Sequence, residues 1–277
     1  MPPQGPQRSP NGGHTPPVRA AQITAPAAPV NTRCPFIPEF PRVFGVNLQR
    51  PILSVHEIRA VEAWAVSSGD VSEEVLMDRA GTRVAAELLS RHHYPAGSAV
   101  VLAGPGNNGG DGYVAGLRLR EAGWHVRVVP VIASPTLDKT TPCSAAARAW
   151  TDAAGPLMVP AEPDDASTLA DGCDWIIDAV FGIGLVRPVE DPLATLFASV
   201  EAAGVPVVAV DVPSGLDADH GVPLGRCLRA DLTVTFIAAK RGFQGASLWT
   251  GPVVVDDLGI NGRGFSAALG HGGHPPT

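Results

Sequence analysis

The sequence predicts an α/β fold organised on a doubly wound, mainly parallel sheet, and three observations predict it. Short apolar runs, such as Val100-Val101-Leu102 and Ile176-Ile177, recur along the chain with helix-patterned segments between them. Several of these runs are apolar without alternation, as expected of strands covered on both faces. Three of them end in polar, glycine-bearing turns, at residues 104–112, 178–185 and 211–215. In a doubly wound sheet, turns beyond the carboxyl ends of the strands converge on one crevice, which is where ligands bind.

The elements follow in order. Residues 1–50 are rich in Pro, Gly, Ala, Gln and Thr without periodicity, and read as a disordered extension. Residues 51–260 read as the folded domain, and 261–277 as a mobile tail. Ser54-Val55-His56-Glu57 is a capping box, followed by Ile58, Val61 and Ala65 at helical spacing. A second helix starts near Ser72, with Leu76, Ala80, Val84 and Leu88 on one stripe. The central unit is a strand at 100–102, a glycine turn at 104–112 and a helix after Asp111. Beyond it the pattern gives a strand at 125–132, an Ala-rich helix at 141–152 and a short strand at 156–159. A strand at 174–180, a helix at 192–203 and strands at 205–212, 232–239 and 252–255 complete the domain.

Composition excludes several classes. The chain has 277 residues and a formal charge of -7 with no basic stripe, which argues against a nucleic-acid partner. No apolar run approaches the roughly 20 residues of a membrane span. The cysteines, Cys34, Cys143, Cys173 and Cys227, form no C-x-x-C pair, so neither a zinc ribbon nor a disulfide scaffold is indicated. That usage suits a reducing, cytoplasmic setting.

The first turn, Gly104-Pro105-Gly106-Asn107-Asn108-Gly109, satisfies G-x-G-x-x-G, with strand before and helix after. Two details separate it from an ordinary dinucleotide fingerprint. The second strand, HVRVVPV, carries no carboxylate for a ribose, and Asp111 at the helix mouth would repel a pyrophosphate. The convergent groups of the three turns are Asn107, Asn108, Asp111, Asp178, Asp211 and Ser214. They offer hard oxygen donors with few carboxylates, which favours a monovalent cation over zinc or copper. A carboxylate at a strand end can also serve as general acid or base when its pKa is raised. Ser214 lies outside any G-x-S-x-G context, so a serine nucleophile is not indicated.

Three stretches together resemble the NAD(P)H-hydrate epimerases, the YjeF N-terminal family: GPGNNGGDG at 104–112, DAVFGIGLVRPVEDP at 178–192 and VDVPSGLDADHG at 210–221. The likeness runs from about Ile52 to Ile260. It implies a Rossmann-like three-layer α/β/α sandwich, usually dimeric, and an isomerase that interconverts the R and S hydrates of NADH and NADPH at nicotinamide C6. A partner dehydratase, ADP- or ATP-dependent, would then repair the S form. The resemblance further implies that Asn107, Asn108, Gly109, Gly110 and Asp111 contact the substrate. The turn Gly182, Ile183, Gly184, Leu185, Val186, Arg187, Pro188 and the strand-end Asp211 would contact it too. One K⁺ per subunit would be held by Asn108, Asp178 and Ser214. Asp211 and Asp111 are the candidate catalytic acids, and Asp211→Asn is expected to abolish R/S exchange while leaving the fold intact. Ile183 and Val186 stand where Thr and Ser are common in bacterial relatives, so two hydroxyls able to bond phosphate are missing. The chain stops soon after Ile260, without the fused dehydratase that many relatives carry. The competing readings are a non-catalytic dimerisation module and an NAD-dependent dehydrogenase.

Overall fold

The computed structural model describes residues 51–92, 96–132, 140–153, 169–260 and 262–270, together with Met1. The extension at 2–50 and the short strand expected at 156–159 lie outside the described residues. The described chain runs β1 (Ile52–Leu53), α1 (Val55–Ser67), α2 (Glu73–Arg91), β2 (Ser98–Ala103), α3 (Asn107–Glu121), β3 (His125–Pro130) and α4 (Pro142–Asp152). It continues with β4 (Trp175–Ala179), α5 (Leu193–Ala202), β5 (Val207–Val210), β6 (Leu232–Phe236) and β7 (Ala239–Lys240). A 3₁₀ turn (Arg241–Phe243), α6 (Ser247–Thr250), β8 (Val253–Asp256) and α7 (Gly262–Ala268) complete it.

Six strands form one sheet in the order β3-β2-β4-β5-β6-β8, every pair parallel. Alternation along the strands divides the core between two faces. Val101, Ala103, Ile177, Ala179, Val208 and Val210 join a cluster built with α1 through α4. Val100, Leu102, Ile176 and Val207 join another with Leu196, Phe197 and Val200 of α5. Helices thus cover both faces, giving the three layers expected. The order reverses at β2, which has β3 on one side and β4 on the other. The loops leaving β2 and β4 therefore flank the switch point of the sheet, where α/β folds bind ligands.

Two helices begin where the sequence placed them. Ser54 accepts the amide of Glu57, whose carboxylate takes the Ser54 amide at 2.8 Å, closing the capping box of α1. Ser72 caps α2. The strand expected at 232–239 is instead broken: Ile237 takes φ 70° and turns the chain from β6 into β7. β7 leaves the main sheet and pairs with β1, Leu53 opposite Lys240. The tail is not wholly mobile, because α7 forms and its Phe265, with Ala268 and Leu269, packs on the core. Its close approach to α1 depends on Gly264, where a Cβ would come 2.6 Å from the Trp64 ring.

α3 gives the main local correction. Sequence reading ends the glycine turn at Gly112 and starts the helix after Asp111, but the helix starts at Asn107 with Gly106 as N-cap. Residues 107–111 are its first turn. None of these glycines has a positive φ. Their service is close packing: a Cβ on Gly109 would stand 1.8 Å from the carbonyl oxygen of Gly104.

Candidate functional site

A cleft of about 450 Å³ opens at the carboxyl ends of the strands. Its floor comes from the β2–α3 corner (Pro105 to Asn108, with Asp111), the turn after β4 (Val180 to Leu185) and Asp211 after β5. Phe236, Ile237 and Lys240 close one end, while Arg59 and Glu62 of α1 and Leu76 and Met77 of α2 form the wall. Two of the three predicted turns thus line one cavity directly, and the third contributes Asp211.

Gly182 is the meeting point. A Cβ there would lie 3.2 Å from both Asn108 Oδ1 and Asp211 Oδ2, so any side chain at this position would press on both groups. One residue earlier, the Phe181 amide donates to Ser214 Oγ at 2.8 Å. Beneath the floor, Asp178 is fully buried and accepts the Ser214 amide at 2.8 Å, with the Ser214 hydroxyl on its other oxygen at 2.5 Å. Burial pushes the Asp178 carboxyl up to about 6, against the pull of the Ser214 and Val180 hydrogen bonds.

Asp211 is held in a backbone conformation unusual for a residue with a side chain, φ 65°, with its amide on the Val234 carbonyl at 2.7 Å. Such a conformation costs about 1 kcal/mol or more, and it recurs where a side chain must be aimed. One Asp211 oxygen accepts the Thr235 hydroxyl at 3.2 Å and the Lys240 ammonium. Lys240 is 1% exposed and also donates to the Phe236 carbonyl at 2.9 Å. Burial lowers its pKa, with the Asp211 charge opposing.

Asp111 is buried one turn into α3, and it caps nothing. Its carboxyl is pushed well above the ordinary 3.8, first by burial, then by the negative charge of Asp211 and Glu62. Glu62 is half-buried on α1 and is likewise raised by burial, then by Asp211 and Glu73. The cleft therefore holds a buried carboxyl whose pKa is raised beside a second carboxyl bonded to a buried lysine. Environments that differ in this way divide acid from base roles between two like groups.

Not every expected contact residue reaches the cavity. Asn107, Asn108, Asp111, Gly182, Ile183, Gly184, Leu185 and Asp211 line it. Gly109 and Gly110 do not: they are buried packing positions, against the Gly104 carbonyl and the Met77 side chain. Val186, Arg187 and Pro188 also lie outside the lining, and Val186 is 86% exposed. Asp178 and Ser214 bond to each other below the floor and do not line it. Glu62, Arg59 and Lys240 are cleft residues that sequence reasoning assigned no role. The basic run Lys240-Arg241 was visible, but its target, Asp211, is 29 positions away. The expectation that Asp211→Asn leaves the fold intact also changes, because that substitution would strand a buried ammonium.

The donor chemistry of Asp178 is compatible with a hard monovalent cation. Asp178 is a buried carboxylate with no cationic side chain among its described hydrogen-bond partners. The Asn108 side-chain nitrogen is buried with no described partner and is a donor suited to a ligand oxygen, whereas a cation would take its Oδ1. Among the described residues, no three His, Cys, Asp or Glu side chains gather as a metal site.

A profile of the YjeF-related protein N-terminus matches residues 73–242. A protein of Limosilactobacillus fermentum named NAD(P)H-hydrate epimerase is 38% identical over 211 residues, covering 75% of this chain and 97% of its own length. A Bordetella pertussis protein of the same name is 39% identical over 225 residues, covering 78% of this chain and 91% of its own. A Leishmania infantum protein named bifunctional NAD(P)H-hydrate repair enzyme is 36% identical over 197 residues, which are 70% of this chain but 34% of that longer one. In structure, yeast ynu0 matches with a TM-score of 0.68 at 20% identity, over 82% of this chain and 96% of that one, a likeness of fold.

Proposed function

The chain belongs to the YjeF-related protein N-terminus family, and from that premise we propose that it is an NAD(P)H-hydrate epimerase. As a metabolite-repair isomerase, it would exchange the R and S hydrates of NADH and NADPH at nicotinamide C6. The observation that carries the reading is the meeting of Asp111, Asp211 and Lys240 in the switch-point cleft. A dehydrogenase site is disfavoured, since β3 ends without a carboxylate for the ribose. A bare dimerisation module has no need of two carboxyls and a buried lysine facing one cavity.

In this mechanism Asp111 gives its proton to the C6 hydroxyl, and the C6–O bond breaks to release water. The ring-nitrogen lone pair moves into the C6–N bond, leaving an iminium cation. Water then adds to either face, and its surplus proton returns to the Asp111 carboxylate. Asp211, fixed against Lys240, stabilises the cation electrostatically without reorganising. Asn108 and the Gly182 turn orient the nicotinamide end. Asn108, Asp178 and Ser214 would hold K⁺, which when bound supplies charge neutralisation beneath the floor.

The same reading extends to the setting. Cys143, Cys173 and Cys227 are free thiols, and burial raises the pKa of all three; such unpaired cysteines suit the reducing cytoplasm. The functional partner is an ADP- or ATP-dependent NAD(P)HX dehydratase, and the working assembly is a homodimer. No nucleic-acid partner fits a charge of -7, and no described helix is long and apolar enough to cross a membrane. The test is a mixture of R- and S-NADHX with an S-specific dehydratase. With this protein present all of the hydrate is repaired; conversion that stalls at the S fraction, beyond spontaneous exchange, refutes the proposal.

A further inference from the structure

The cleft is poor in free positive charge. Its described lining carries four carboxyl side chains, of Glu62, Glu73, Asp111 and Asp211, and two cations, of Arg59 and Lys240. Lys240 is buried and committed to Asp211 and the Phe236 carbonyl, so it has no reach into the mouth. Arg59 is different. It is exposed on α1 and makes no hydrogen bond or ion pair among the described residues. Three residues before Glu62, it shares a helix face with that cleft residue.

Its guanidinium faces the turn after β4. A Cβ on Gly184 would have Arg59 Nη2 as its nearest neighbour, at 3.9 Å, with nothing else inside 4 Å. A side chain at this glycine would grow toward the planar fork, so its absence keeps that approach clear. The side chains of the turn, Ile183 and Leu185, offer no hydroxyl there. α1 is itself anchored: Asp219 Oδ1 accepts the Val55 amide at 2.8 Å, and Arg241 meets Glu57 at 3.3 Å. Arg59 is therefore presented on a fixed helix.

Resting on the epimerase reading, we infer that Arg59 binds a phosphate of the substrate, clamping it against the turn at Gly184. A dinucleotide entering an acidic cleft needs donors of opposite charge, and a guanidinium pairs two phosphate oxygens at once. Two phosphates share that chemistry, the pyrophosphate of either hydrate and the ribose 2′-phosphate of NADPHX alone. Arg59 is a binding residue in this account and takes no part in the proton transfers.

The experiment compares wild type, R59A, R59K and R229A, the last removing an exposed arginine outside the cleft. Steady-state exchange is measured on NADHX and NADPHX, and calorimetry follows binding of ADP-ribose, which carries the pyrophosphate without the reactive ring. In R59A, KM rises about tenfold with kcat unchanged, as for loss of one charge-assisted contact. R59K recovers part of the affinity, R229A matches wild type, and raised ionic strength narrows the gap between wild type and R59A. A rise for both hydrates, with weakened ADP-ribose binding, assigns the pyrophosphate; a rise for NADPHX alone assigns the 2′-phosphate. An unchanged KM on both hydrates in R59A, a loss confined to kcat, or an equal effect of R229A overturns the inference. Should wild type fail to exchange epimers, the functional reading falls. Binding of ADP-ribose and of its 2′-phosphorylated form still decides Arg59, and equal affinity of R59A and wild type for both overturns its role.

Discussion

The ammonium of Lys240 and the carboxylate of Asp211 form an ion pair under the end of the cleft, with Lys240 1% exposed and its side chain also bonded to the Phe236 carbonyl. Removing one member of such a pair leaves the other charge uncompensated in the interior. Asp211→Asn is expected to lose R/S exchange and also about 3 kcal/mol of stability. The double variant D211N/K240M removes both charges and regains most of the stability but no activity. Urea unfolding beside the dehydratase-coupled assay separates the two losses; a D211N protein as stable as wild type contradicts the buried pair.

The raised carboxyl of Asp111 sets a pH dependence. Below its ordinary 3.8 the folded and unfolded chains are both protonated. Above it the unfolded chain releases a proton that the folded chain keeps, so the folded state binds more protons and stability falls as pH rises toward the folded pKa. Asp111→Asn removes that slope. If the neutral acid gives the proton, exchange slows as pH rises through the folded pKa, and D111N is inactive at every pH. A wild-type rate that climbs steadily with pH assigns the proton transfer to another group.

Gly109→Ala tests the packing role of the α3 glycines. The added methyl meets the Gly104 carbonyl at 1.8 Å, and both partners are backbone, so relief requires moving α3 from β2. The expected cost is about 3 kcal/mol, read as a lowered midpoint of unfolding. A variant with wild-type stability would mean that the β2–α3 corner can open freely.

Potassium is expected to stabilise the protein through the floor residues. Thermal unfolding in KCl against a large organic cation should show a higher midpoint in KCl, by about 1.4 kcal/mol at a tenfold excess over Kd. Asp178→Asn and Ser214→Ala should abolish that difference. An equal response in D178N removes Asp178 from the set of ligands.

Much of the sheet was legible because its strands are covered on both faces, and such strands are written as unbroken apolar runs like Val207 to Val210. The approach of Asn108 and Asp211 to the Gly182 turn, and the bonding of Ser214 to Asp178, are in keeping with parallel topology, which brings every strand's carboxyl end to one edge. What escaped were contacts set by tertiary distance. Lys240 reaches Asp211 because Ile237 reverses the chain at a φ that β-branched residues seldom adopt, and no local pattern announces that turn. Glu62 and Arg59 read as the polar face of an amphipathic helix until α1 is seen against the turn at Gly184. The start of α3 was misplaced because its first residues are glycines and amides, poor helix formers held there by close contact with Gly104 and Met77.

The attachment of α1 has a consequence for biosynthesis. This helix follows β1, which pairs with β7, and it takes an acceptor for its first amide from Asp219 and an ion pair from Arg241. All three come from the last quarter of the domain. A nascent chain that has extruded β2 through β5 holds four of the six strands of the main sheet, yet these ties wait for the 31 residues after Val210, through Arg241. Until then α1, with Arg59 and Glu62, is held through its buried face alone, and the final setting of the pocket wall is left to the closing moments of synthesis.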